Sequence, residues 1–161
     1  MTGELFKSLT ATPDILQVPY RGAGPGIADL ISGHIPMGFF GFTGQVLQLH
    51  RSGKLRILAV TTPARPVAAP EIPTTAEAGL PGLTTQAALG LLAPAGTPKA
   101  IIERTAEATV TAVAERTYQR MLIESGFEPT LNSNPEKFRR SLEADIAFWR
   151  PVVEALGLKI D

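Results

Sequence analysis

The stretch Val18-Pro-Tyr-Arg-Gly-Ala-Gly-Pro-Gly-Ile-Ala-Asp-Leu-Ile-Ser-Gly33 leaves the backbone few choices. It reads as a strand, a glycine-rich turn and a short helix stopped by glycine. Ile15 to Val18 carry the β signal. Gly22, Gly24 and Gly26 let the chain turn tightly and approach a ligand without side-chain clash. Pro25 suits the first helical position, where a missing N–H leaves nothing unsatisfied. Ile27, Leu30 and Ile31 supply an apolar face, and Gly33 stands where a left-handed cap is expected. The mouth of such a turn offers free N–H groups and the positive end of a helix dipole, which suits a carboxylate or a phosphate. Two phosphate motifs are excluded by spacing. Ile27 occupies the third-glycine position of G-x-G-x-x-G, and no Gly-Lys-Ser/Thr follows as a P-loop requires.

The pattern continues on both sides. Glu4 to Leu9 reads as the last turns of a helix, with Leu5, Phe6 and Leu9 on one face. Ile35 to Phe39 is a second strand, Gly44 to Ser52 a short helix closed by Gly53, and Leu55 to Thr61 a strongly β-biased third strand. This βαβαβ order predicts an α/β fold with a parallel sheet and right-handed crossovers. Thr74 and Glu77 have the spacing of a capping box ahead of one or two helical turns. Leu89 to Ala93 reads as another strand. Thr97 as cap and Pro98 at the first position start a long helix, with Ile102, Ala106, Val110 and Val113 as its stripe. A further helix covers Thr117 to Ser125, stopped by Gly126. Asn134-Pro135 opens the last helix, whose stripe is Phe138, Leu142, Ile146, Trp149, Val153 and Leu156. Pro151 within it predicts a kink or break. Amphipathic helices with few strands to cover predict an exposed apolar face in the C-terminal part.

Composition narrows the function. The 161 residues suffice for one modest domain or two small lobes. Fifteen basic residues balance fifteen acidic ones, which argues against nucleic acid as a partner. The absence of cysteine excludes disulfides, thiol catalysis and cysteine metal sites. No ligand spacing suggests a metal, and no cofactor motif is present. No apolar run reaches the roughly 18 residues a membrane span requires, so no direct membrane insertion is expected. The N-terminus lacks a charged region followed by an apolar core, the mark of a signal peptide.

No nucleophile–base pair stands out, so no enzyme is expected. His34 and His50 read as surface or packing residues, and Asp29 as solvent-facing. Phe39, Phe40 and Phe42 end the second strand, where open α/β sheets place ligands. Alternation sets Phe40 opposite Phe39 and Phe42, one face for the core and the other for a cleft.

Taken in order, five runs and the C-terminal helix resemble one family. They are Val18-Pro-Tyr-Arg-Gly-Ala-Gly-Pro25, Asp29-Leu-Ile-Ser-Gly-His-Ile-Pro-Met37, Ser52-Gly-Lys-Leu-Arg-Ile-Leu-Ala-Val-Thr61, Ile72-Pro-Thr-Thr-Ala-Glu-Ala-Gly-Leu-Pro-Gly82 and Gly90-Leu-Leu-Ala-Pro-Ala-Gly-Thr-Pro98. Asn134-Pro-Glu-Lys-Phe138 and the Trp149 helix follow. Together they are similar to the substrate-binding proteins of tripartite tricarboxylate transporters, also called Bordetella uptake gene proteins.

The resemblance implies a bacterial periplasmic receptor of the type II periplasmic-binding-protein fold, with two α/β lobes closing on a small carboxylate. Residues 1–91 would be most of the second lobe and 92–161 the segment that completes the first. The family's signal peptide and first-lobe sequence are absent, which implies a truncated portion. By resemblance the chain is periplasmic; if complete as given, it is cytoplasmic. The implied ligand-binding residues are Tyr20, Arg21, Gly22, Ala23, Gly24, Pro25 and Gly26 on one wall and Phe40, Gly41, Phe42 and Thr43 on the other. Implied partners are the transporter's membrane components, with self-association or a missing lobe supplied in trans. Phe40 stands where the family often has Asp or a small polar residue, and Ala88 and Leu89 where it usually has aromatics. Two other readings stay open: a small α/β enzyme acting on an anionic or phosphorylated metabolite, and a gene fragment with no function of its own.

Overall fold

A computed structural model describes residues 1–155 and Gly157. The chain forms two compact units. The first is Met1–Gln86 together with Glu124–Phe127, and the second is Ala87–Ile123 with the chain from Glu128 onward.

In the first unit the helices are α1 (Thr2–Thr10), α2 (Ala23–Ile31) and α3 (Gly44–Arg51), followed by a single 3-10 turn at Pro81–Leu83. The two short helices end by the same device. After α2, the Gly33 N–H donates to the Leu30 carbonyl and the His34 N–H to the Asp29 carbonyl, with Gly33 at φ 78°. After α3, Gly53 and Lys54 repeat this on His50 and Leu49, with Gly53 at φ 72°. Both are Schellman caps that need a left-handed residue, so glycine stands there. The start of α2 differs from the sequence expectation. The helix opens at Ala23 rather than Pro25, with Gly22 as its N-cap. Pro25 is therefore the third helical residue, still inside the turn whose N–H groups have no intrahelical partner.

The predicted strands are the main correction. Among the described residues no ladder forms at Ile15–Val18, Ile35–Phe39, Leu55–Thr61 or Leu89–Ala93. Strand pairing is one parallel bridge, between Val60 and Thr74. Val60 donates to the Pro73 carbonyl at 2.9 Å and accepts from the Thr75 N–H at 2.8 Å. A β-prone segment becomes a sheet strand only where another segment meets its backbone, and propensity does not supply that partner.

The bridge lies within the core. Leu47, Val60, Ala69 and Ile72 form one buried cluster, with Phe42, Ile57 and Ala68 packed against it. The proline-rich connection is closed over this cluster by polar contacts. Arg51 donates to the Ala68 carbonyl, and Arg65 holds both Glu77 oxygens through Nε and the Pro70 carbonyl through its guanidinium. The capping box forms as the spacing predicts. The Thr74 N–H donates to Glu77 at 2.8 Å and the Glu77 N–H to the Thr74 hydroxyl at 3.2 Å. It encloses a single hydrogen-bonded turn rather than a helix. Arg65, and then the Thr74 N–H, hold the Glu77 carboxyl below its ordinary value.

The second unit contains α4 (Lys99–Ala114), α5 (Arg116–Glu124, whose last residue belongs to the first unit) and α6 (Pro135–Ala155). Asn134 caps α6 as expected, its Oδ1 accepting from the Lys137 N–H at 2.8 Å. Thr97 does not cap α4. Its hydroxyl donates to the Pro94 carbonyl instead, Pro98 is the N-cap, and the helix starts at Lys99. Pro151 produces no break, and α6 runs through it to Ala155. Leu156, the last residue of the predicted stripe, lies outside the described residues. None of α4, α5 and α6 has a buried residue. Ile101, Met121 and Ile146 on these helices are 52–58% exposed, and Leu89, Leu91 and Leu92 ahead of α4 70% or more, so the expected apolar surface is present.

Stability of the first unit should follow this burial. Leu83 is 1% exposed and Leu58 72%. Leu83→Ala is expected to lower unfolding free energy by about 2–5 kcal/mol, and Leu58→Ala to stay within about 0.5 kcal/mol. Urea titration of the two variants checks the contrast.

Candidate functional site

The two predicted walls meet around Gly26. A Cβ placed on Gly26 would lie 2.8 Å from the Phe40 ring and 3.1 Å from the Tyr20 ring. The Phe40 ring also covers Gly38. The three glycines of the turn therefore do different work. Gly22 adopts φ 97°, a conformation side chains resist. Gly26 is buried because two aromatic rings occupy the space a side chain would need. Gly24 faces open space.

The aromatic trio does not split into a core face and a cleft face as alternation predicts. Phe39 packs on Phe6, ring centroids 5.5 Å apart, and lies against Gly3. Phe40 packs on Gly26 and Gly38, and Phe42 joins the buried cluster. Arg21 and Gly41 are exposed.

The helix starts on the two walls contrast. At α3 the Thr43 hydroxyl accepts from the Val46 N–H at 3.3 Å, and the Gly44 N–H donates to the Ser125 carbonyl at 3.0 Å. The latter contact depends on Gly126, at φ 89°, where a Cβ would sit 2.6 Å from the Phe42 carbonyl. Sequence reasoning identified Gly126 as a helix stop and had no signal that residues 124–127 pack on α3. At α2 the Gly22 cap offers no side-chain hydrogen bond. Among the described residues no hydrogen bond uses the N–H of Ala23 or Gly24, and Pro25 has none. Two donors thus remain at the positive end of the α2 dipole.

Asp29 is not merely solvent-facing. Its Oδ2 accepts from the Tyr20 hydroxyl at 2.8 Å, and its Oδ1 lies 3.3 Å from His34 Nδ1. Ser32 Oγ lies 3.0 Å from the same nitrogen. Serine and carboxylate meeting one ring nitrogen lack the geometry of a proton relay, in which the two nitrogens face opposite partners. His50 accepts at Nδ1 from the Ile57 N–H at 3.3 Å.

The Tyr20 hydrogen bond, followed by that of His34, holds the Asp29 carboxyl below its ordinary value against the opposing effect of burial. The same bond, then burial and the carboxylate charge, raises the Tyr20 phenol. A depressed acid stabilises the fold above its unfolded pKa and loses that contribution as pH falls through the folded value. A raised phenol contributes below its unfolded pKa and loses its share as pH rises through the folded one. The stability gap between the native chain and Tyr20→Phe should therefore be widest at neutral pH. It should shrink below the carboxylate range and above the phenol range. Denaturant melts across the pH scale measure it.

Comparison with known proteins adds the following. The sequence profile described as tripartite tricarboxylate transporter family receptor matches residues 1–158. A protein encoded in the tcbD–tcbE intergenic region of Pseudomonas sp. strain P51 is 32% identical over 144 residues, which are 89% of this chain and 42% of that protein. A solved periplasmic transporter superposes with a TM-score of 0.85 at 35% identity, over 99% of this chain and 52% of the other. An R. palustris protein solved with adipate gives 0.84 at 33%, over 97% and 51%. The chain thus spans about half the length of the proteins it matches. Its fold is part of the type II periplasmic-binding-protein fold.

Proposed function

Since the chain belongs to the tripartite tricarboxylate transporter receptor family, we propose that it is a solute-binding portion of a periplasmic receptor for small carboxylates. The family is one of receptors, not enzymes, and we assign this chain no catalytic activity. Residues 1–91 then stand as most of one lobe, and 92–161 as the segment that completes the other. The transporter's membrane components are the partners this reading implies, and the exposed leucines of the second unit suit a lobe supplied by further polypeptide.

One observation carries the ligand class. Among the described residues the N–H groups of Ala23 and Gly24 have no partner at the start of α2, whereas at α3 those of Gly44 and Val46 are taken by Ser125 and Thr43. Free donors at a helix start select an anion. Adipate, held by the R. palustris relative, carries a carboxylate at each end, and one end suits this turn. In this reading the turn from Tyr20 to Gly26 receives the ligand carboxylate, on the N–H groups of Ala23 and Gly24 and with Arg21 at the rim. The segment Phe40, Gly41, Phe42 and Thr43 forms the neighbouring wall, contributing surface rather than donors.

A single half-site leaves the ligand partly solvated, where charge interactions approach the water limit. Binding of adipate to the chain is expected on the order of millimolar, about 4 kcal/mol. Gly24→Val tests the site cleanly. Gly24 faces open space without a left-handed φ, so the substitution blocks the mouth and leaves the turn unstrained. Amide resonances of Gly22, Ala23 and Gly26 should shift on adipate titration of the native chain and stay still in Gly24→Val. Native-like affinity in that variant refutes the site, and submicromolar one-to-one binding refutes the half-site argument.

A further inference from the structure

We propose that Asp29 is a positioning residue that holds the α2 mouth in its anion-receiving shape by anchoring Tyr20, an inference that rests on the reading above. Tyr20 is the last residue before the turn. Its carbonyl accepts from the Gly22 N–H at 3.0 Å, so its backbone sets the entry to the left-handed Gly22. Its ring lies over Gly26 and its hydroxyl reaches Asp29 in the second turn of α2. The side chain thus spans the turn from the incoming chain to the body of the helix.

Asp29 itself is fixed from the far side. Its carbonyl accepts from the His34 N–H at 2.9 Å in the Schellman cap, and its Oδ1 faces His34 Nδ1. One residue therefore ties the entry of α2 to its exit. With its hydroxyl committed to Asp29, Tyr20 serves the site through the shape of the turn, and the ligand is left to the N–H groups of Ala23 and Gly24.

The arrangement makes a prediction that general stabilisation does not. Tyr20→Phe and Asp29→Ala should each weaken adipate binding on the order of tenfold, the size of one hydrogen bond to a charged group. Because both remove the same bond, the double variant should lose no more than either single one. Asp29→Asn keeps an oxygen that accepts from Tyr20 and should restore affinity.

The test has two arms, both run on the whole chain at a temperature where circular dichroism shows each variant folded. Without ligand, heteronuclear NOE values at Gly22 and Gly24 should fall in Tyr20→Phe and Asp29→Ala and recover in Asp29→Asn. With adipate, titration should follow the same order. Unchanged NOE values in Asp29→Ala overturn the proposal whatever the ligand does. Lowered NOE values with unchanged adipate affinity overturn it as well. If the native chain shows no adipate-induced shift at residues 22–26, the carboxylate reading fails, and with it the anion-receiving role given to Asp29. The ligand-free arm then reports only whether the Tyr20–Asp29 bond orders the turn.

Discussion

The N–H and carbonyl of Val60 are the only strand-like pairing among the described residues, and the first unit is arranged around them. Through Pro73 and Thr75 they bring the proline-rich connection back onto α3. Leu47, Ala69 and Ile72 close over the bridge, so that the shared backbone bonds are shielded by apolar side chains. The polar edge of that connection is then held by Arg65, Glu77 and Thr74, each satisfying a group the irregular backbone would leave open.

The same need to satisfy backbone donors separates the starts of α2 and α3. At α3 the Gly44 and Val46 N–H groups are taken by Ser125 and Thr43. At α2 the cap is Gly22, which has no side chain to accept, and the Ala23 and Gly24 N–H groups stay open. Around that end the rings of Tyr20 and Phe40 lie on Gly26 and the hydroxyl of Tyr20 donates to Asp29.

Helix positions, helix stops and the capping box were legible in the sequence because their causes are local. Gly33 and Gly53 end their helices through bonds reaching no further than five residues back, and Asn134 and Thr74 act over three. Local reasoning erred by small margins at Pro25 and Thr97, where competing hydrogen bonds and proline geometry moved a helix start by one or two residues. It erred more widely on the strands. Val, Ile and Leu in Leu55–Thr61 mark a segment that accepts a partner, and the partner is a property of the whole fold.

The sequence by itself determined where the backbone can turn, where α2, α3 and α5 end, and that the turn after Val18 leads into a helix start rich in glycine. These follow from the allowed angles of glycine and proline and from hydrogen bonds a few residues long. Tertiary structure alone decided that Tyr20 reaches Asp29, that the Phe40 ring covers Gly26, and that residues 124–127 meet the start of α3. Each of these joins segments set apart by nine to about eighty residues. No propensity or spacing specifies such a meeting, because it depends on how the intervening chain packs.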